Sequence, residues 1–406
     1  MNPRRSEQIE LNAVLKGREL YVWGAGHFGV AVAFALARAG VELSGFVDSN
    51  FAGREMLGFK VRDPEDVLAL GEAKVCLIVA SSLHAADMSR RCEEHGFRHG
   101  HDYLTHADIK PHHFEIDVAG ACNLKCLTCP QGNLSKRPLY NMMSVADYRR
   151  VVDKLIDENP LLPDVQIYSW GEPLLNPELP AMIAHNASRR LATAVSSNLS
   201  LRCDLEAVVK ASPTWFRVSL SGADAATYAI IHRGGRFDVV VDNLRLLARL
   251  RAAFAPRMLV EVNYHLYKHN LDGVPIMAGL CKELGFVFRT NYAFIDPLDD
   301  LIEYAKGRPL PPLMEEGRRH LLLDIDEAIG LSRESGSGEC VSENCFVIAS
   351  DLSFRRCNHL FDVPCNVLAD SFLETSFDDI LQRAEKCVIC RECRALGTHR
   401  YHLSYV

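Results

Sequence analysis

Short apolar runs alternate along this chain with longer stretches whose apolar positions recur every three to four residues. Glu19–Trp23 reads as a strand, followed by G-A-G-H-F-G and an Ala-rich helix over Val30–Arg38. Leu43–Val47 and Val75–Ala80 read as two further strands. Strand–helix–strand alternation of this kind buries a parallel sheet. The pattern runs out near Asp108, and Lys110–His113 reads as a linker. A second alternation follows, with strands expected at Phe114–Val118, Val165–Tyr168, Ala194–Ser197, Phe216–Leu220, Leu259–Asn263 and Val287–Asn291. A helix over Ser144–Asn159 opens on the capping pair Ser144 and Asp147. Another, over Val239–Ala253, sets Val240, Leu244, Leu247 and Leu250 on one stripe. Six such units predict a partial barrel rather than a closed eightfold one. Arg308–Pro312 marks a break, Glu334–Gly338 a loop, and Cys340–Val406 is short on regular pattern. The expected boundaries are a βαβ module over 1–109, a barrel over 110–310 and a small Cys-rich domain over 311–406.

Composition narrows the function. Hydrophobic residues at 48% and charged residues at 24% are ordinary for a globular protein. A net charge of -7 without any Lys/Arg block argues against nucleic acid as a partner. Met1–Leu15 is polar, and the most apolar segment, Val30–Ala39, is broken by Arg38, so no membrane partner and a cytoplasmic location are expected. A reducing compartment disfavours structural disulfides, so the fourteen cysteines are read by their clustering. Cys76, Cys92, Cys203 and Cys281 are scattered and read as small buried apolar residues.

Cys122, Cys126 and Cys129 share one loop after the first barrel strand, in A-G-A-C-N-L-K-C-L-T-C-P. Three thiolates can hold three irons of a [4Fe–4S] cube and leave the fourth open, whereas structural zinc wants four protein ligands. This spacing, opening a six-unit β/α domain, resembles the radical S-adenosylmethionine (SAM) superfamily. The resemblance implies an α/β fold: a partial (β/α)6 radical SAM barrel, here preceded by a Rossmann-like domain and followed by a small Cys-rich domain. It implies that SAM binds the open iron, is reductively cleaved, and yields a 5′-deoxyadenosyl radical that abstracts a substrate hydrogen. An electron donor such as flavodoxin or ferredoxin is implied as a partner.

Further motifs fall at successive strand ends, where β/α barrels place their active sites. Ser169-Trp170-Gly171-Glu172-Pro173 is similar to the family's Gly-Gly-Glu-Pro, with Trp170 in place of the first glycine. Gly171 and Glu172 are therefore expected to hold the methionyl ammonium. Ser196-Ser197-Asn198 and Ser219-Leu220-Ser221-Gly222 resemble ribose- and carboxylate-binding turns, which implicates Ser196, Asn198 and Ser219. Arg233 is a candidate partner for the methionyl carboxylate, and Asn263 a weaker candidate contact. Thr128 stands where the family often has an aromatic residue beside adenine.

Seven cysteines crowd between Cys340 and Cys393. Their thiolates could ligate a second [4Fe–4S] cluster or zinc. The segment resembles SPASM or twitch extensions, which implies one auxiliary [4Fe–4S] cluster. The expected ligands are Cys345, Cys357, Cys387 and Cys390, with Cys393 the first substitute and Cys340 and Cys365 nearby.

Gly24-Ala-Gly26-His-Phe-Gly29, with Asp48 closing the next strand, fits a dinucleotide fingerprint. Gly45-Phe-Val-Asp48-Ser-Asn50 resembles N-terminal domains of saccharide-modifying enzymes, which implies nucleotide or sugar-nucleotide binding, or docking and homodimerisation. The expected function is radical chemistry on a carbohydrate-type small molecule, namely a sugar, aminoglycoside or nucleotide sugar. Its outcome would be dehydration, epimerisation or dehydrogenation. Peptide modification is the alternative, and an NAD(P)-dependent dehydrogenase with structural zinc is the reading from another class. Tyr168, Tyr264, His265 and Tyr292 lie near strand ends, although packing is the commoner role for such residues.

Overall fold

The computed structural model describes residues 11, 14–15, 17–81, 84–109, 112–133, 141–334, 340, 342–361 and 363–402. Most of Met1–Leu15 and the expected loop beyond Glu334 lie outside these residues, as do Lys110 and Pro111 of the linker. Contacts divide the chain into two compact units. One comprises residues 1–111, 152–165 and 185–192; the other comprises 112–151, 166–184 and 193–406. No helix among the described residues is long and apolar enough to cross a membrane.

The first unit carries β1 (Glu19–Trp23), β2 (Gly45–Val47), β3 (Glu55–Met56), β4 (Phe59–Arg62), β5 (Val75–Val79) and β6 (Tyr103–Thr105) in the order β3-β4-β2-β1-β5-β6. β1 pairs in parallel with both β2 and β5. The strand period of two decides which cluster each side chain joins. Leu20, Val22, Cys76 and Ile78 enter one apolar cluster, and Tyr21, Trp23, Leu77 and Val79 the other. Both faces are thus buried, which is why these strands read as near-continuous apolar runs. The helix after β1 spans His27–Arg38, starting earlier than the Ala-rich run suggests. Gly24 has φ +118°, and a Cβ there would lie 2.6 Å from the Ala80 carbonyl oxygen. The Asp48 carboxylate accepts hydrogen bonds from the backbone N–H groups of Ala25 (2.9 Å) and Asn50 (2.8 Å), so it is turned onto the glycine loop itself.

The partial barrel runs from residue 113 to 292, most of it in the second unit. Its strands are β7 (His113–Ile116), β8 (Asp164–Gln166), β9 (Ala192–Ser197), β10 (Trp215–Leu220), β11 (Leu259–Leu266) and β12 (Val287–Tyr292), in unbroken sequence order. All six expected strands are present within a few residues of their expected bounds. The expected helices run over Val145–Glu158 and Phe237–Phe254. Ser144 Oγ accepts from Asp147 N–H at 3.1 Å and donates to its carboxylate at 2.9 Å, which completes the cap. Val240, Leu244, Leu247 and Leu250 are buried as the stripe requires. Along β10, half-buried Trp215, Arg217 and Ser219 alternate with buried Phe216, Val218 and Leu220. Arg217 and Ser219 therefore face the barrel interior together.

The sheet does not stop at β7. β13 (Cys345–Ile348) pairs with β7 in parallel, Cys345 opposite His113 and Ile348 opposite Ile116. β14 (Phe354–Arg355) and β15 (Val367–Ala369) continue it antiparallel, and β13 with β14 forms a hairpin. Two points need correction. The segment after Cys340 contains regular helices over Phe377–Glu385 and Val388–Leu396. The first buries Phe377, Ile380 and Ala384 on one face beneath a Ser376 cap, a pattern obscured by its charged neighbours. Cys203 is exposed, whereas Cys76, Cys92 and Cys281 are buried as expected.

Candidate active site

The three-cysteine loop is pinned by backbone bonds rather than by packing alone. Gly120 N–H donates to Asn141 (2.8 Å), Lys125 N–H to Arg233 (2.9 Å) and Glu172 N–H to Ala121 (2.9 Å). Cys122, Cys126 and Cys129 all line one cavity of about 240 Å³ at the strand ends. Burial pushes the Cys122 thiol up to about 12, with Glu172 adding to the effect. Burial also raises Cys126, and its neighbours Cys129 and Cys122 raise it further. Three half-buried thiols around one cavity, with Cys122 raising the pKa of both others, resist ionising together unless a cation is supplied between them. An iron–sulfur cluster supplies that charge, so the donor set fits a [4Fe–4S] cluster.

Gly171 packs against this loop so closely that a Cβ would fall 1.4 Å from the Ala119 carbonyl oxygen. Only glycine allows that approach. The Glu172 carboxylate is buried and accepts from the N–H groups of Asn198 (2.9 Å) and Leu174 (3.1 Å). Burial lifts its pKa to about 7, although those donors work against the rise. Asn198 donates from Nδ2 to Asn123 Oδ1 at 3.0 Å, which ties the third strand end to the cysteine loop. Gly171, Glu172, Ser196, Asn198 and Ser219 therefore line the same cavity as the cysteines. Arg233 does not: its guanidinium pairs with Glu316 outside the lining. Asn263 instead accepts from Asn291 Nδ2 at 2.6 Å.

A scan across known families matches residues 116–260 to the radical SAM superfamily. The chain carries a radical SAM domain. It is an enzyme that uses a [4Fe–4S] cluster and SAM, and the dehydrogenase alternative leaves this match and the cysteine loop unaccounted for. No curated protein matches the chain. Among solved structures, Streptococcus suis SuiB bound to the precursor peptide SuiA is similar at 16% identity and TM-score 0.46, covering 74% of this chain and 71% of its own. Native anSMEcpe with bound AdoMet is similar at 16% identity and TM-score 0.44, with coverage of 70% and 87%. BtrN in complex with AdoMet and 2-DOIA is similar at 16% identity and TM-score 0.40, again covering 70% and 87%.

Several lining residues of the radical SAM cavity escape a reading by motif. Arg217 is the guanidinium the barrel interior presents; its Nε donates to Ser196 Oγ at 3.1 Å and it lies over the Tyr168 ring. The period of two from Ser219 is the signal that could have found it. Tyr267 brings an aromatic ring to Thr128, their hydroxyls 2.9 Å apart, and both line the cavity. His232 sets Nδ1 3.3 Å from Cys126 Sγ, and burial holds that imidazole down at about 3, in its neutral form. Of the strand-end residues, Tyr168 and His265 line the cavity. Tyr264 is buried and donates to the Asn270 carbonyl at 2.8 Å, while Tyr292 is exposed.

Most of the C-terminal thiols gather around one place in a grouping that spacing alone does not reveal. Cys340, Cys357, Cys390 and Cys393 line one small cavity. Cys345 and Cys387 do not line it. Cys345 Sγ lies 3.8 Å from Glu115 across the β13–β7 pair. Cys387 precedes the helix Val388–Leu396; its thiol meets that of Cys390 and lies 3.8 Å from the Cys365 carbonyl, so it borders the same thiol group from outside the lining. The helix itself sets Cys390 and Cys393 three residues apart, hence on one face. Burial raises the Cys357 thiol to about 12, and Cys340 and Cys393 add to the rise.

Proposed function

We propose that this radical SAM enzyme abstracts a hydrogen atom from a small polar, carbohydrate-type molecule; the C-terminal thiols would hold an auxiliary [4Fe–4S] cluster, which for a dehydrogenation would accept one electron from the substrate radical as a hydroxyl proton leaves. The observation that carries this reading is the cavity lining. Beyond the turns suited to SAM, it presents Ser169, Ser221, Arg217, His265 and Asp296, donors and acceptors suited to hydroxyl-rich ligands. Bound SAM and the cluster supply the 5′-deoxyadenosyl radical. The chain's own residues do the rest. Gly171 and Glu172 shape the turn for the methionyl ammonium, while Ser196, Asn198 and Ser219 offer hydrogen bonds to ribose or carboxylate oxygens. Arg217, which lines the cavity, would pair with a carboxylate, the role expected of Arg233. Tyr267 offers the aromatic face missing at Thr128. Cys340, Cys357, Cys390 and Cys393 are the ligand set that the thiol cavity supports for the auxiliary cluster. The Rossmann-like unit would present a nucleotide or sugar-nucleotide site, or serve in docking and homodimerisation.

The test is 5′-deoxyadenosine formation by anaerobically reconstituted enzyme with a flavodoxin or ferredoxin reductant. Free sugars, aminoglycosides and nucleotide sugars are assayed beside peptides. Stimulation by a carbohydrate, with deuterium moving from substrate into 5′-deoxyadenosine, is expected. Stimulation by peptides alone would overturn the substrate class and leave the radical chemistry standing.

A further inference from the structure

Asp296, His359 and His402 come from three separate segments, and their ligand atoms all lie within 4.8 Å of one another. Asp296 follows β12 and is 1% exposed. His359 follows β14, and His402 follows the helix Val388–Leu396. The carboxylate offers a different oxygen to each ring: Oδ2 is 3.3 Å from His359 Nδ1, and Oδ1 is 3.1 Å from His402 Nε2. The rings stack with centroids 3.5 Å apart, and Phe294 meets both edge-on.

The arrangement is held before any ligand arrives. Asp296 N–H donates to the Thr128 carbonyl at 3.1 Å, and its own carbonyl accepts from Asn133 Nδ2 at 2.7 Å. The His359 carbonyl accepts from Leu298 N–H at 2.8 Å. Among the described residues, no lysine or arginine pairs with the Asp296 carboxylate. A buried carboxylate normally has a cationic partner or a metal. Two imidazoles and one carboxylate suit first-row divalent ions and leave coordination positions open. Asp296 lines the cavity that holds Cys126 and Cys129, while His359 and His402 line the thiol cavity.

We propose that Asp296, His359 and His402 bind a single divalent first-row metal ion, distinct from either cluster, with an open position toward the cysteine-loop cavity. An oxygen of the substrate is the ligand suited to that position. The site stands whether or not the substrate is a carbohydrate.

The experiment uses the full chain, purified anaerobically with its clusters. Acid-labile sulfide counts cluster iron, and total metal analysis counts everything. One metal equivalent per chain beyond the sulfide-matched iron is expected, and Asp296→Asn and His402→Gln should each lose it with sulfide unchanged. Co(II) titrated into metal-stripped, cluster-loaded wild-type protein should bind one equivalent with visible d–d absorption. No sulfur-to-cobalt charge transfer should accompany it, which separates this site from the thiols. Wild-type protein that takes up no such Co(II) would overturn the proposal, leaving the trio a metal-free hydrogen-bonded network. Retention of the extra ion by both variants would overturn it too. If a variant misfolds, the wild-type titration decides alone.

Discussion

Replacing Gly171 with alanine tests the closest approach in the active site. The added Cβ would sit 1.4 Å from the Ala119 carbonyl oxygen, 2.6 Å from its carbon and 2.7 Å from Asp117 Oδ1. Real Cβ atoms essentially never come within 3.0 Å of a neighbour, so turn and strand end must part by roughly 1.6 Å. That shift strains the Glu172 N–H bond to Ala121, one residue before Cys122. Overpacking costs about 1–3 kcal/mol, and loss of one backbone bond adds about 1 kcal/mol. A destabilisation of about 2–4 kcal/mol is therefore expected from urea unfolding. Displacing reacting groups by this much costs on the order of 10²-fold in rate, read as 5′-deoxyadenosine formation. Gly330→Ala is the control: its Cβ meets nothing within 4 Å, and it lies inside the helix Ile325–Glu334. The control should gain about 0.5–1 kcal/mol. A Gly171→Ala protein with wild-type stability and rate would refute the packing and the placement of the turn together.

Cys126→Ala should abolish SAM cleavage and lower iron and sulfide together, with loss of visible absorbance; retained cleavage would contradict the assignment of the cysteine loop. His232→Leu removes the imidazole 3.3 Å from Cys126 Sγ and should lower the cluster's reduction potential in an EPR-monitored titration, since hydrogen bonds to sulfur raise it. Cys340→Ser or Cys393→Ser should reduce auxiliary iron and sulfide, while Cys345→Ser should not; the reverse would restore the ligand set expected from the SPASM or twitch resemblance. Glu172 has a folded pKa of about 7 against 4.5 in the unfolded chain, so the folded state binds more protons between those values. Stability of the ligand-free protein should then fall as pH rises through that window, by up to roughly 3 kcal/mol. Glu172→Gln should reduce that slope in pH-dependent unfolding, leaving the part contributed by Asp117 and Asp299, whose pKa values burial also raises.

The barrel was legible because most of its strands carry apolar positions between amphipathic helices, and because Ser144 and Asp147 mark a helix start chemically. The cysteine loop was legible because all three thiols lie on one contiguous stretch. Arg217 was within reach of sequence, since the strand period from Ser219 points it inward, yet no motif names it. Arg233 illustrates the opposite case: its motif context is suggestive, while its pairing with Glu316 outside the cavity lining is not visible in sequence. The C-terminal thiols resisted because counting spacers cannot show that β13 carries Cys345 to β7, or that one helical turn aligns Cys390 with Cys393. Asp296, His359 and His402 were invisible, since nothing local links residues 63 and 106 positions apart.

The pairing of β13 with β7 has a consequence for how the chain matures on the ribosome. β7 leads directly into the cysteine loop, and its outer edge is satisfied by a strand that begins at Cys345. The two strands are 230 residues apart in the chain, as Glu115 and Cys345 show. At synthesis rates of about 5–20 residues per second, that edge stays unpaired for roughly 10–50 seconds. An open edge of this kind is a template for wrong pairing. Early truncation should therefore yield an aggregating fragment rather than a minimal catalytic barrel, and cluster insertion is best timed after release of the finished chain.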